Sequence, residues 1–431
     1  MNQESQEKLV RAIGRWSLTA LMVNTIIGSG IFGLPSVVAG LVGKASPLAY
    51  LAAAAGVGAI MACFAEVASQ FREAGGPYLY AQAAFGRFLG IQMGWLAWLT
   101  RLTGSGAAAN LFIIYLAEFW PEVKQPLPRA LVLTLLVGVL AAVNYRGVSA
   151  GAQLSNVFTV AKLLPLFVFI AAGLFYLLHN APTVSSGSPA QSGAWFEAVL
   201  VLVFAYGGFE AALIPMGEAK DPRRDAPFAL FAALAIVTAV YTLIQVVVVG
   251  VLANAAATDR PLATAAREFL GPAGAALISV GALVSVYGYL GAQMLQTPRL
   301  TFALAERGDF PSLFAAVHRS FHTPHISIVV FALLLWGFAL AGTFRWNVML
   351  SAVARLFYYG VVCAALVVLR RKQPEAQAFR LLAGPVFAGL GVAFSVALLT
   401  RMHRGELIVL VCTAAIALAN WLWVRLRSAA A

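Results

Sequence analysis

Asn24-Thr25-Ile26-Ile27-Gly28-Ser29-Gly30-Ile31-Phe32-Gly33-Leu34-Pro35 is the stretch on which the reading of this chain turns. It lies inside an apolar run from about Leu18 to Val42, long enough to cross a bilayer at roughly 20 residues per span. Its middle is a poor helix, because each glycine costs about 1 kcal/mol relative to alanine in a helix interior. A break here frees backbone N–H and C=O groups at a depth where no bulk water can satisfy them. Such a break survives only where it lines a protein-enclosed or watery cavity. The half-helix that restarts near Ile31 aims its positive dipole end and free N–H groups at the gap, an arrangement that attracts an anion such as a carboxylate. The simpler alternative is a glycine seam that lets two helices pack closely.

Composition places the stretch in its setting. The 431 residues are 61% hydrophobic and 11% charged, with a mean hydropathy of +0.85, which no water-soluble domain shows. Apolar runs recur from end to end and are continuous, so they build helices and exclude a membrane barrel of alternating strands. The expected fold is an all-α polytopic membrane protein forming a single domain over 1–431. Cys63, Cys363 and Cys412 lie in apolar runs without metal or disulfide spacing and receive no role. The first 16 residues are polar and basic with no cleavage pattern, and read as a cytoplasmic lead-in. The net charge of +12 could suggest nucleic acid, but the basic residues sit in short loops between spans, where topology explains them.

Twelve transmembrane helices are expected at about 17–42, 46–70, 88–118, 129–145, 151–178, 195–218, 226–252, 272–300, 325–342, 346–370, 379–400 and 405–424. An even number puts both termini on one side. With that side cytoplasmic, inside loops hold 18 of the 29 Lys and Arg and outside loops eight, so the positive-inside rule supports the orientation. The connection Asn180 to Ala194, rich in Ser, Gly and Pro, reads as a hinge between halves. Phe310, Phe314 and Phe321 among polar residues predict an amphipathic interfacial helix between Arg307 and His325.

The sixth span repeats the oddity of the first. Phe204-Ala205-Tyr206-Gly207-Gly208-Phe209-Glu210 places a glycine pair inside an apolar run, with Pro215 following. If residues 17–178 and 195–370 are two repeats, each opens on a broken helix, and paired interruptions are the best sequence pointer to a transporter's binding site. A channel with a broken-helix filter is the rival; no ring-like polar repeat supports it.

Charges within spans mark functional candidates. Lys162 lies about eleven residues into span five, near 16 Å of helix. It either snorkels to the interface or is buried, as a proton carrier or a fixed cation. Arg101 in span three precedes Gly104-Ser105-Gly106, and its guanidinium stays charged. It either pairs with Glu210 or Glu66, or contacts substrate. Glu210 directly follows the second break and either stabilises freed N–H groups, the preferred role, or titrates. Arg355 in span ten is left without a role. Phe204, Tyr206 and Tyr289 can cap a ligand or simply pack, Phe204 being the candidate gate.

Ile27-Gly28-Ser29-Gly30-Ile31-Phe32 resembles the first-span signature of the amino acid–polyamine–organocation (APC) superfamily of permeases. Ala74-Gly75-Gly76-Pro77-Tyr78-Leu79-Tyr80 is similar to the loop after its second span. Tyr206-Gly207-Gly208-Phe209-Glu210 together with Glu218-Ala219-Lys220-Asp221-Pro222-Arg223-Arg224-Asp225-Ala226-Pro227 resembles its sixth span and the loop after it. Pro298-Arg299-Leu300-Thr301-Phe302-Ala303-Leu304-Ala305-Glu306-Arg307-Gly308 resembles its eighth-span exit. Together they cover most of residues 17–325.

The resemblance implies a 5+5 inverted repeat of the leucine-transporter type with discontinuous helices 1 and 6, and two extra helices at about 379–424. It implies a substrate carboxylate on the backbone N–H groups of Gly28, Ser29 and Gly30, with Ile27 and Ile31 beside them. It also implies an α-amino group on the carbonyls of Phe204, Ala205 and Gly207. Lys162 matches a span-five lysine that stands in for sodium in some sodium-independent members. Arg101 is a departure from the pattern, with Ser105 and Glu210 in the same possible pocket or charge network, and it makes a strongly cationic substrate less attractive. The expectation is a secondary amino acid transporter of the inner (cytoplasmic) membrane, a monomer or weak homodimer. It would move small or neutral amino acids by alternating access, through sodium-independent exchange or proton symport. A non-transporting amino acid sensor and an ion channel are the alternatives. No metal, no cofactor and no nucleic acid partner is expected. The five scattered histidines and the lack of any acid pair or nucleotide loop make an enzyme improbable.

Overall fold

The computed structural model describes residues 13–71, 75–147, 151–180, 193–213, 219–374 and 378–430. Residues 181–192 of the Asn180–Ala194 connection, most of the N-terminal lead-in, Arg72, Ala74, Pro215 and Glu218 fall outside them. The described residues are nearly all helical and form no strand, with one isolated bridge between Ile13 and Ala219. Eight helical stretches are long and apolar enough to cross a membrane, and His325–Ala341 and Gly384–Leu399 are apolar but shorter.

Two helix pairs are interrupted where the glycines fall. Helix α1 (Arg15–Ile26) gives way to α2 (Gly30–Val42), and α3 (Ser46–Ser69), α4 (Gly76–Phe85), α5 (Arg87–Leu116), α6 (Pro126–Arg146) and α7 (Gly151–His179) follow. Then α8 (Ala194–Tyr206) gives way to the single turn α9 (Phe209–Ala212). After it come α10 (Pro222–Val251), α11 (Pro261–Glu306), α12 (His325–Ala341), α13 (Phe344–Lys372), α14 (Gly384–Leu399) and α15 (Arg404–Ala430). At the second break Gly208 takes φ 111°, a left-handed conformation that glycine adopts at little steric cost. A β-carbon there would stand 2.5 Å from the Thr25 carbonyl oxygen, so the close approach of the two breaks leaves no room for one. The broken helices therefore cross at their glycines: α1 packs on α9 and α10, and α2 packs on α8.

The polarity pattern is that of a protein dissolved in lipid. On α6, Leu127, Leu131 and Leu135, each one turn apart, are 69%, 61% and 67% exposed, while Glu66, Lys162, Glu210 and Arg355 are buried. Inside, small residues bring helices together: Gly33 lies under the Phe344 ring, and a side chain there would come within 2.5 Å of it.

Three differences from the sequence reading have local causes. Residues 76–85 form a helix rather than a loop, with Pro77 in its first turn and Gly86, at φ 91°, ending it before α5. Helix α11 starts eleven residues earlier than expected and bends at Gly271 (φ 67°), just before Pro272. No interfacial α-helix forms between Arg307 and His325. Gly308 (φ 72°), Pro311 and Pro324 leave room for only the 3-10 turn Ser312–Ala315. Phe310 is instead driven inward, stacked on Trp95 with ring centroids 4.5 Å apart.

Glu66 resolves as a clamp between α3 and α13. Its carboxylate accepts from Arg370 Nε and Nη2, both at 2.6 Å, and from the Leu381 N–H at 2.9 Å. Bidentate guanidinium–carboxylate geometry is the strong form of this contact. Glu66→Ala leaves a part-buried guanidinium and an amide without their acceptor, at a cost of about 3 kcal/mol. A thermal melt of the detergent-purified protein is expected to drop accordingly, and an unchanged melting temperature would refute the clamp.

Candidate functional site

A cavity of about 380 Å³ runs between the two breaks, within the size range of small-molecule sites. From Gly28, Ser29, Gly30, Phe204 and Gly207 it continues along α5 and α11 to Tyr78, Leu300 and Leu304. On the far side of α2 a separate, shallower depression of about 710 Å³ is lined by Ser36, Gly40, Lys124, Asp259 and Arg345.

The chemistry follows from backbone accounting. An unbroken helix would bond Gly28 N–H to Asn24 C=O, Gly30 N–H to Ile26 C=O and Ile31 N–H to Ile27 C=O. Ile27 is instead extended (φ −71°, ψ 92°), and those bonds are gone. Three of the freed carbonyls find other donors. Lys162 Nζ on α7 donates to Asn24 O at 2.5 Å and Ile27 O at 2.8 Å. Tyr241 Oη on α10 lies 3.1 Å from Ile26 O and 3.2 Å from Ala205 O, sharing its one proton between the two breaks. The N–H groups of Gly28, Ser29, Gly30 and Ile31 have no acceptor among the described residues.

At the second break the partners of the lost helical bond are satisfied from within. Gly208 N–H, which a continuous helix would aim at Phe204 C=O, donates to Glu210 Oε2 at 2.9 Å. Phe204 O accepts from Arg355 Nη1 at 3.3 Å and from Gly207 N–H at 3.3 Å. Arg355 Nε lies 3.3 Å from Glu210 Oε1, so the ion pair bridges the gap. Tyr358 and Tyr359 donate to the same carboxylate at 2.7 and 3.0 Å. Gly207 is a close-approach position, since a side chain there would overlap the Arg355 guanidinium.

Of the residues singled out in the sequence, Gly28, Ser29, Gly30, Lys162, Phe204, Gly207, Tyr289, Arg101 and Glu210 come together around the cavity. Five do not line it. Ile27 and Ile31 are each 1% exposed, and Ile27 contributes its carbonyl to Lys162. Ala205 gives its carbonyl to Tyr241. Tyr206 turns into the α3–α10 core and donates to Tyr50 O at 3.1 Å. Ser105 Oγ donates to the Arg101 carbonyl within its own helix at 2.8 Å. Arg101 pairs with neither Glu210 nor Glu66, and its guanidinium donates no hydrogen bond to a described residue. Arg355, which the sequence reading placed in span ten without a role, receives one here. Its position within a span was the available signal, and its partner could not be read from spacing. Ser285 on α11 was missed too; its buried hydroxyl has no hydrogen-bond partner among the described residues and lines the cavity.

The aromatic lids are placed by glycines. A β-carbon at Gly104 would stand 3.0 Å from Tyr289 Oη and 3.7 Å from the Phe204 ring, and one at Gly30 would stand 3.5 Å from that ring. Phe204 and Tyr289 therefore sit across the space between the first break and α5. At the cavity's other end Tyr78 donates to Asp309, whose carboxylate also takes Arg87 Nε at 2.6 Å. Burial first, and then the Asp309 carboxylate, push the Tyr78 phenol above its ordinary range, so it remains a donor.

A family model described as amino acid permease matches residues 13–419. The methylthioribose transporter of Bacillus subtilis (strain 168) is 28% identical over 397 residues, covering 87% of this chain and 85% of that protein. The serine/threonine exchanger SteT of the same organism is 29% identical over 400 residues, covering 90% of each. Its branched-chain amino acid permease BcaP is 26% identical over 423 residues, covering 92% and 89%. Since that match spans nearly the whole chain, this protein belongs to the amino acid permease family of the APC superfamily.

Proposed function

We propose that the chain is a secondary amino acid transporter of the cytoplasmic membrane that works by alternating access. The observation that carries this is the set of unpaired N–H groups at Gly28–Ile31, facing a cavity between two broken helices. A substrate carboxylate completes those donors at the positive end of α2. The α-ammonium lies toward the second break, where the Gly207 carbonyl has no donor among the described residues and the Ala205 carbonyl, bonded to Tyr241, keeps a second lone pair. The Ser285 hydroxyl is a further partner within the same space. The names of the relatives support transport of a small polar molecule, and two of the three name amino acids.

In this proposal the chain crosses the membrane twelve times with both termini cytoplasmic. Residues of about 17–178 and 195–370 form the two repeats, and 379–424 the additional helices. The cavity then opens to the cytoplasm, Phe204 and Tyr289 close it from outside, and the depression at Ser36 and Lys124 is the outer vestibule. Lys162 occupies two backbone carbonyls that would otherwise be free to coordinate a cation, which supports sodium-independent exchange or proton coupling.

The test is counterflow of labelled amino acids into proteoliposomes holding the purified protein. Saturable exchange of at least one of the twenty is expected; absence of flux for all of them would sink the proposal, and ion current without saturation would make the protein a channel. Ligand binding without counterflow would make it a sensor. Lys162→Ala strips two carbonyls of their donor and is expected to reduce exchange by tenfold or more while the protein stays monodisperse, since a hydrogen bond from a charged donor contributes about 1.5–3 kcal/mol. Exchange at the wild-type rate would remove Lys162 from the mechanism. An imposed sodium gradient is expected to leave the rate unaltered, and stimulation by sodium would overturn that part of the reading.

A further inference from the structure

The charged groups around the cavity are unbalanced. Arg101, Lys162 and Arg355 line it against the single carboxylate of Glu210, a formal surplus of two positive charges. Setting Lys162 aside still leaves two guanidinium groups, which stay charged, facing one carboxylate. Glu210 is fully committed: it accepts from Gly208 N–H, Tyr358 and Tyr359 and pairs with Arg355. The Arg355 guanidinium is correspondingly spent on Glu210, Tyr358 and the Phe204 carbonyl.

Arg101 is the group left over. It stands on α5 in the cavity wall, within electrostatic reach of Glu210, Arg355, Tyr289 and Tyr358, yet donates no hydrogen bond and forms no ion pair among the described residues. A guanidinium carries five donors in a planar fork that fits a carboxylate in bidentate fashion. Leaving such a group unpaired at membrane depth is costly, and a substrate that supplies the missing anion recovers that cost. A neutral amino acid offers one carboxylate, which the Gly28–Ile31 donors already claim. A cationic one would add to the positive surplus.

Resting on the transport reading, we infer that the substrate is an amino acid whose side chain carries a second anionic group, with the α-carboxylate at the first break and the side-chain anion on Arg101. A four- or five-carbon dicarboxylic amino acid fits within a cavity of about 380 Å³, and the surplus positive field of the lining favours its entry. This narrows the expectation of small or neutral side chains, which took no account of the unpaired guanidinium.

The deciding experiment is counterflow in proteoliposomes with L-aspartate and L-glutamate set against their uncharged isosteres L-asparagine and L-glutamine. The wild-type protein is expected to exchange the acidic member of each pair at least tenfold more efficiently. Arg101→Gln is expected to lower acidic exchange roughly ten- to hundredfold, the loss of one charge-assisted contact, and to erase the preference over the amides. Arg101→Lys keeps the charge without the fork and is expected to fall between, and it serves if the glutamine variant fails to fold. If the wild-type protein exchanges neutral amino acids as well as or better than acidic ones, the inference is overturned and the transport reading stands. Flux of none of the twenty removes both.

Discussion

A helix broken inside a membrane leaves two kinds of orphan, and this protein treats them unequally. At Gly28–Ile31 four carbonyls, those of Asn24, Thr25, Ile26 and Ile27, lose their helical donors, and three of them are taken up again: two by the Lys162 ammonium and one by Tyr241. The matching N–H groups are left open. An unsatisfied buried polar group costs on the order of 1–3 kcal/mol, and more where no water reaches it, so the choice of which half to satisfy has consequences. With three of its four freed carbonyls quenched, the break offers mainly donors to the cavity, and the α2 dipole adds to the same sign. In the proposed transport reading, Lys162 thus biases the first break toward a negative group without touching that group itself.

The second break follows the other solution. There the bond lost between Gly208 N–H and Phe204 C=O is replaced by an ion pair laid across the gap, carboxylate to the N–H and guanidinium to the carbonyl. Burying such a pair is expensive unless every remaining lone pair and proton is used. Here two tyrosine hydroxyls and two backbone groups complete the set. The fit depends on Gly207, since any side chain would enter the volume of the guanidinium. One break is consequently closed upon itself and the other waits for a partner, which is why the cavity's unmet demand is anionic.

The breaks themselves were visible in the sequence because glycine pairs in apolar runs have few other uses, and their depth in the membrane follows from counting residues. Lys162 was visible for a related reason: eleven residues into a span is too deep for an ammonium with nothing to do. What the sequence withheld was rotation. Consecutive residues on a helix point about 100° apart, so Phe204 and Tyr206 project in nearly opposite directions, one into the cavity and the other into the α3–α10 core. Arg355 and Glu210 lie 145 positions apart in the chain, and no spacing rule joins them. Similarly, the phenylalanines between Arg307 and His325 have an amphipathic composition, but the glycine and prolines around them decide the backbone first, and Phe310 goes inward to Trp95.

The pattern of ties also limits which parts can move together. Tyr241 shares a proton between Ile26 O and Ala205 O, and Gly208 presses on the Thr25 carbonyl, so the two broken helices and α10 are joined at backbone level. On the other wall, Arg101, Gly104 and Tyr289 belong to α5 and α11, and they meet the broken helices through a van der Waals contact of aromatic rings over glycine. Hydrogen bonds between backbone groups are lost abruptly when stretched, whereas ring contacts exchange partners at small cost. In the proposed transport cycle a change of access is therefore cheapest as a displacement of the α5–α11 wall against the joined breaks, parting Gly104 from Phe204 and Tyr289 from Gly28 while the Lys162 and Tyr241 bonds persist. A ligand bonded to the first break on one side and to Arg101 on the other spans that same seam, and so bears directly on the surfaces that must separate.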